Sequence, residues 1–258
     1  MSKASTIFLI LPTYNEAKGI ATVITNVAEI FSSANVENWH MIIVDDGSLD
    51  TTCAIVESMP YPITLIRHKR NLGLGLAMKT GLLAAGRLAS DEDYILSAES
   101  DGAQSLKTLL NVIKKLEQGY DYVVASPLIG SFVGVPLYRR ILSHGANWLY
   151  RTLFPMDILR DYTNLMRGVR ARFVHQAVAF YGSSQFLRCS GFEGVPEFPI
   201  KIRRFSPNVG EVPVTIDFSK MQRGSSIAIV KTIFKSLSLC ARESLYQLRV
   251  KNRWIKKD

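Results

Sequence analysis

Cysteine is scarce in this 258-residue chain: Cys53, Cys189 and Cys240 are far apart and include no Cys-x-x-Cys pair. So small and scattered a set excludes a disulfide framework and a cysteine-based zinc site, and it fits a reducing, cytoplasmic compartment. The four histidines, at 40, 68, 144 and 175, make no His-Glu-x-x-His or similar ligand spacing and are expected to be structural. Long apolar runs are missing too. No stretch reaches the roughly 18 uninterrupted apolar residues of a spanning helix, so the chain is not expected to cross a membrane by itself. The start, "MSKASTIFLILPTYNE", lacks a small-residue cleavage site and reads as a first strand, not as a secretory signal. Internal repeats and low-complexity linkers are absent.

Two familiar phosphate loops are absent as well. "GLGLAMKT" (73 to 80) approaches a P-loop, but Met78 stands where a glycine must let the backbone wrap the phosphates. The same segment lacks the third glycine of a dinucleotide fingerprint and does not follow the first strand.

What is present is the material of one large α/β domain with an appendage, in a chain that is 47% hydrophobic. Apolar runs of strand length recur at "TIFLIL" (6 to 11), "HMIIV" (40 to 44), "ITLIR" (63 to 67), "DYIL" (93 to 96) and "YDYVVAS" (120 to 126). Helical patterns lie between them: "EAKGIATVITNVAEIFSS", "SLDTTCAIVESM", "GLGLAMKTGLLAAGRLAS" and "SLKTLLNVIKKLEQG". Continuous apolar strands alternating with helices predict a mostly parallel central sheet with helices on both faces, of the Rossmann-like α/β class. Ligands then bind beyond the carboxyl ends of the strands. The segments expected at that rim are "PTYNE" (12 to 16), "DDGSLDTT" (45 to 52), "HKRNLGLG" (68 to 75), "AESDGAQ" (98 to 104) and "SPLIGSF" (126 to 132).

Their chemistry suits a nucleoside diphosphate. Asp45 or Asp46 can accept a hydrogen bond from the N–H edge of a uracil or guanine, and Tyr14 offers a ring for the base to lie against. A pyrophosphate needs its charge neutralised, and Glu99 and Asp101 are placed to hold a divalent cation, Mg²⁺ or Mn²⁺, for that purpose.

Charge placement adds a second theme. Of the formal net charge of +9, nearly all the excess falls from Lys220 onward, with ten Lys or Arg against Glu243 and Asp258. That argues for an anionic surface met by the C-terminus and against a nucleic-acid groove across the fold. Apolar residues at 227, 230, 234, 237, 241, 245 and 248 keep a helical spacing, with Trp254 near the end. A basic amphipathic helix of this kind is the pattern of a membrane-interface segment, and equally of a helix packed on its own domain.

Taken together, "LPTYNEAKGI", "IIVDDGSLDTT", "NLGLGLAMKTGL" and the acidic pair resemble the GT-A domain of family-two glycosyltransferases, in that order. Three further segments, "LYRRILSHGANWLYRTLFP" (137 to 155), "DYTNLMRGVR" (161 to 170) and "VGEVPVTI" (209 to 216), resemble the subgroup that includes dolichyl-phosphate mannose synthases and polyprenyl-phosphate sugar transferases. The resemblance implies a GT-A domain over residues 1–224 and a basic amphipathic helical tail over 225–258. It implies inverting, metal-dependent transfer of a sugar from a nucleotide-sugar donor, of the GDP-mannose or UDP-hexose type, to a polyprenyl or dolichyl phosphate. The enzyme would sit on the cytoplasmic face of a membrane, with an anionic lipid surface as partner of the tail and an integral membrane partner left open.

Residue by residue, the resemblance assigns Pro12, Tyr14, Glu16, Asp45 and Asp46 to the nucleotide and Glu99 and Asp101 to the metal. It assigns Arg139 and Ser143 to phosphate, Arg167 to the acceptor region, and Lys220 or Arg223 to closure over the pyrophosphate. Two positions depart from the family's pattern: Glu99 and Ala103 stand where Asp and Gln are usual, with Gln104 one step late, and Pro127 stands where an arginine is usual. Two alternatives remain: a GT-A enzyme acting on a saccharide, or a non-catalytic nucleotide-sugar or membrane-binding subunit.

Overall fold

A computed structural model describes residues 5–100, 104–220 and 229–255. The first strand, β1 (Ile7–Thr13), is buried at every position, as its uninterrupted apolar run requires. Its pleat divides the core. Phe8 and Ile10 point to one hydrophobic cluster, and Ile7, Leu9 and Leu11 to the other. Around it follow α1 (Ile20–Ser33), β2 (Trp39–Asp45), α2 (Thr52–Glu57), β3 (Ile63–Arg67), α3 (Leu74–Leu88), β4 (Tyr94–Ser97) and α4 (Thr108–Glu117). The second half consists of β5 (Tyr122–Val133), α5 (Leu137–Leu153), β6 (Arg167–Arg170), α6 (Ala171–Tyr181), α7 (Gly194–Ile202), β7 (Val209–Asp217) and α8 (Ile229–Ile255).

The seven strands form one sheet in the order β3-β2-β1-β4-β6-β5-β7. Pairing is parallel from β3 through β4 and between β5 and β7, while β6 runs antiparallel to β4 and β5. Helices cover both faces: α1, α2 and α4 contribute to one core cluster, and α3, α5, α6, α7 and α8 to the other. Leu239 and Cys240 of α8 are buried in that second cluster. None of the described helices is long and apolar enough to cross a membrane.

One expected loop is a strand. Residues 126 to 132 were expected beyond the fifth strand, yet β5 runs on to Val133 and pairs with β7 after a register irregularity between Ser126 and Ser131. Pro127 falls inside that irregularity, where its missing N–H costs no ladder bond.

The start of α3 fixes the rim. Gly73 has φ 95°, and a Cβ there would collide with the Ser190 carbonyl. Only glycine takes this backbone shape without strain and fits this gap.

Candidate functional site

A cleft of about 1150 Å³ opens along the carboxyl ends of the parallel strands and continues between α5 and α8. Pro12, Tyr14, Glu16, Asp46, Glu99, Arg139 and Ser143 all line it, so the chain brings together residues spread from position 12 to 143.

At the polar end the loops after β1 and β2 are stitched to one another. The Asn15 N–H donates to Ser48 Oγ (2.8 Å), Leu49 N–H donates to Asn15 Oδ1 (2.8 Å), and Glu16 N–H donates to Thr52 Oγ1 (2.9 Å). Asn15 takes a left-handed φ of 53°, a shape that asparagine tolerates better than most residues. Asp46 is fixed more firmly still. Its Oδ1 accepts Leu72 N–H (2.9 Å), its Oδ2 accepts Gly73 N–H (2.7 Å), and His68 Nδ1 lies 2.7 Å from Oδ1. The far side of that imidazole meets Thr80 Oγ1 at 3.0 Å.

Asp45 and Asp46 therefore part company. Asp46 lines the cleft, whereas Asp45 is fully buried, accepts Ser48 N–H (3.1 Å) and lies 3.7 Å from Arg67 Nε. Asp45 braces the turn beneath the cleft and is not among the residues lining it, and its Oδ1 has no hydrogen-bond partner among the described residues.

Glu99 stands two residues beyond β4. Gln104 Nε2 donates to Glu99 Oε2 (3.3 Å) and to Asn164 Oδ1 (3.1 Å), and Asn164 returns a hydrogen bond from Nδ2 to Gln104 Oε1 (3.2 Å). Gln104 also bridges to Ile216 of β7. The glutamine that falls one step late in sequence thus still reaches the acidic residue. Asp101, the other expected metal ligand and a candidate catalytic residue, lies outside the described residues.

The cleft lining carries Glu16, Asp46, Glu99 and Asp161 but a single cationic side chain, Arg139, among the described residues. A diphosphate entering so acidic a surface needs a cation beside it. Glu99 fits that role as a hard oxygen donor oriented by Gln104. The described residues contain no group of three or more His, Cys, Asp or Glu that could hold a metal by themselves. Mg²⁺ takes one or two carboxylates and completes its shell with substrate phosphates and water, so it does not require such a group.

Asp161 closes the floor. Its Oδ1 accepts Thr163 N–H (2.7 Å), Asn164 N–H (3.0 Å) and Asn147 Nδ2 (3.3 Å), while Oδ2 has no partner among the described residues. Burial pushes the Asp161 pKa up. It does the same to Glu211, which accepts the N–H groups of Arg160 and Asp161 at 2.7 and 2.8 Å.

The other end of the cleft is apolar. Ile141, Leu142 and Leu149 of α5 face Ile233 and Leu237 of α8 across it. Arg139 and Ser143, one helical turn apart on α5, line the cleft among these apolar residues, and the Arg139 guanidinium lies 5.8 Å from the Tyr138 and Phe218 ring centroids.

Three expected residues are placed differently or lie beyond view. Arg167, expected in the acceptor region, is 3% exposed and does not line the cleft. Its Nη1 donates to Tyr122 Oη and to the Val195 carbonyl, both at 2.9 Å, and its Nη2 donates to the Asn164 carbonyl. A guanidinium bonded to buried carbonyls ties β6 to its neighbours, with its Nε left without a partner among the described residues. Lys220 ends the short 3-10 turn Phe218–Lys220, but its side chain, like all of Arg223, lies outside the described residues.

The tail's charge is also partly spent. Lys235 pairs with Glu193 (3.1 Å), and Arg242 pairs with Glu197 and Glu243. These two cations face the domain and not an outside surface.

Sequence reading missed His68, Gln104, Asn164, Asp161 and the α8 wall. Asp161 and Asn164 lie in a segment whose resemblance was noted and His68 opens a segment expected at the rim, so the signal for them was position within or beside a motif. The α8 wall had only an amphipathic period to announce it.

Comparison with known proteins accounts for this arrangement. Residues 8–180 match the family described as Glycosyl transferase family 2. A protein of Methanococcus voltae named UDP-N-acetylglucosamine–dolichyl-phosphate N-acetylglucosaminyltransferase is 29% identical over 251 residues, covering 90% of this chain and 94% of its own. A dolichol-phosphate mannosyltransferase of Mycosarcoma maydis is 27% identical over 248 residues, covering 93% of this chain and 79% of its own. In fold, the chain is similar to the glucosyl-3-phosphoglycerate synthase of Mycobacterium tuberculosis solved with Mn²⁺, UDP and phosphoglyceric acid, with TM-score 0.64, 16% identity, and 92% and 79% coverage. With the GT-A sheet, the acidic rim and a family match spanning two thirds of its length, the chain is a glycosyltransferase and belongs to glycosyl transferase family 2.

Proposed function

We propose that the protein transfers a sugar from a nucleoside-diphosphate donor to a polyprenyl phosphate, with inversion at the anomeric carbon and with a divalent cation. The observation that carries this reading is the two-ended cleft: an acidic rim at the strand ends and an apolar passage between α5 and α8 line one cavity. A soluble sugar or a phosphoglycerate has no use for that passage, whereas a prenyl chain attached to the accepting phosphate does. The names of the curated relatives, acting on dolichyl phosphate, agree with it.

The chain's own residues divide the work by position. Tyr14 and Asp46 receive the base end of the donor, Asp46 in a fixed orientation because two backbone N–H groups and His68 hold it. Glu99 and Asp101 would hold the cation, which when bound neutralises the diphosphate as it departs. Arg139 and Ser143 orient the accepting phosphate at the mouth of the apolar passage through charge-assisted hydrogen bonds. The phosphate oxygen is already anionic at neutral pH and needs no general base. Attack from the face opposite the leaving group inverts the anomeric centre. Arg167 is not part of this scheme.

The protein would work as a peripheral enzyme at the cytoplasmic face of a membrane. Leu137, Ile141 and Trp148 on α5 and Ile233, Phe234 and Leu237 on α8 are exposed beside the passage. Exposed apolar residues on two adjoining helices suit a bilayer interface.

The test is transfer itself. Purified protein is incubated with UDP-N-acetylglucosamine, UDP-glucose or GDP-mannose, with a short polyprenyl phosphate or with 3-phosphoglycerate, and with Mn²⁺ or EDTA. The expected result is Mn²⁺-dependent product on the prenyl phosphate alone, with inverted anomeric configuration by NMR. Transfer to phosphoglycerate, retention of configuration, or no product with any donor overturns the proposal.

A further inference from the structure

Helix α8 is held to the domain by charge. Arg242 pairs with Glu197, Lys235 Nζ lies 3.1 Å from Glu193 Oε1, and Lys201 Nζ lies 3.1 Å from Glu243 Oε2. All four of Glu193, Glu197, Lys201 and Glu243 are buried. Buried ion pairs add little net stability, because desolvation offsets their attraction, and apolar side chains would anchor the helix as well. What such pairs can add is a defined seat.

Glu197 and Glu193 each have a second set of partners. Glu197 Oε2 accepts the N–H groups of Arg188 and Cys189, both at 2.8 Å, and Glu193 Oε1 accepts Gly191 N–H at 3.1 Å. Both carboxylates therefore grip α8 with one hand and the backbone of residues 188–191 with the other. That backbone is seated on the start of α3: the Ser190 carbonyl accepts Gly75 N–H (2.8 Å), and a Cβ at position 73 or 75 would collide with the Ser190 or Cys189 carbonyl. Gly73 N–H in turn goes to Asp46 at 2.7 Å. A continuous set of hydrogen bonds and close backbone contacts thus joins Arg242, on the last third of the chain, to the carboxylate at the donor end.

We infer that Glu197 and Glu193 are positioning residues for the donor site, transmitting the seat of α8 through the 188–191 backbone to the loop before α3, which carries Asn71 and holds Asp46. The inference rests on the reading that the donor nucleotide occupies that end of the cleft. It makes the C-terminal helix part of the donor-binding machinery, although its own cleft residues line the opposite, apolar end. Removal of the Arg242 charge leaves Glu197 buried without its counter-ion, and the loop it holds shifts or loosens.

The test uses the full chain with Arg242→Ala and Arg242→Lys, read by hydrogen–deuterium exchange and by calorimetric titration of UDP and GDP with Mn²⁺. In Arg242→Ala the amides of residues 72–76 are expected to exchange faster and nucleotide Kd to rise about tenfold, with partition onto phosphatidylglycerol vesicles unchanged. Arg242→Lys, which keeps the charge, restores most of both. Faster exchange confined to residues 186–201 and 239–246, with nucleotide Kd at the wild-type value, overturns the inference. If Arg242→Ala does not fold, Lys235→Gln breaks the half-exposed pair and is read by the same two outcomes. Wild-type protein that binds no nucleotide sinks the donor-site reading itself. Wild-type binding that is unchanged in the variants sinks only this coupling.

Discussion

At the donor end of the cleft Asp46 is held by backbone N–H groups 26 and 27 residues away in sequence, at the start of α3. Near α8 the buried Glu197 and Glu193 answer to side-chain cations 45 and 42 residues away, on a helix whose outer face remains exposed and apolar. The first arrangement uses groups every residue possesses and makes glycine the demanding position. The second uses particular side chains at particular heights on two helices. Backbone donors preorganise charge without side-chain entropy. Ion pairs between helices fix how one element sits on another. A rigid polar end and a docked apolar wall are what the proposed reaction between a nucleotide donor and a prenyl phosphate would use.

Substitutions can break that comparison at either end. The largest effect is expected from Gly73→Ala, which forces a side chain into positive φ and against the Ser190 carbonyl. A destabilisation of roughly 2–4 kcal/mol and loss of nucleotide binding follow, readable by denaturant titration and calorimetry. Unchanged stability would mean that the loop relaxes and the donor end is less rigid than described.

Next comes Glu99→Gln, which keeps the shape and the contact with Gln104 but removes the negative charge. Turnover should fall on the order of 100-fold, as for other losses of charge stabilisation at a reacting centre. Mn²⁺-dependent nucleotide binding should weaken while the melting temperature holds. Equal activity would move the cation site elsewhere.

At the other end, Trp148→Ser removes an exposed aromatic, 67% accessible, from the face of α5. Loss of about 1.5–3 kcal/mol of apolar burial should cut partition onto vesicles tenfold or more and leave nucleotide affinity untouched. If nucleotide binding fell instead, the two ends would not be separable.

The smallest effect concerns pH. Burial raises the pKa of Asp161 and Glu211, so the native state holds their protons more tightly than the unfolded chain does. Their contribution to stability is full below the ordinary carboxylate range and is lost as pH rises through the raised values. Glu211→Gln should flatten that part of the stability profile in urea titrations between acid and neutral pH. A slope unchanged in the variant would assign the pH dependence to other groups.

The sheet was legible because β1 to β4 carry period and length together. "TIFLIL" and "HMIIV" have no polar face, and only a sheet covered on both sides accepts such strands. The extension of β5 past Ser126 was not legible, because Pro127 and Gly130 read as loop residues and only pairing with β7 shows otherwise. At the site, Pro12, Tyr14, Glu16, Asp46 and Glu99 were placed on the rim by the strand ends they follow. The burial of Arg167 was not legible, because a lone arginine near a motif carries no sign of whether its guanidinium lines a cleft or meets the carbonyls of Val195 and Asn164. The tail's basic residues posed the same problem. Spacing predicted the helix, but whether Lys235 and Arg242 look outward depends on Glu193 and Glu197 waiting on α7 and the loop before it.

The sequence by itself determined the α/β order, the glycines at the start of α3 and the carboxylates at the strand ends, because hydrophobic period and backbone constraint act over a few neighbouring residues. Only the tertiary structure decided which of Asp45 and Asp46 faces the cleft, that Arg167 is buried, that Gln104 reaches Glu99, and that α8 forms a wall of the site. Those outcomes depend on side chains tens of residues apart meeting at hydrogen-bond distance, and no local pattern encodes where a distant partner will stand.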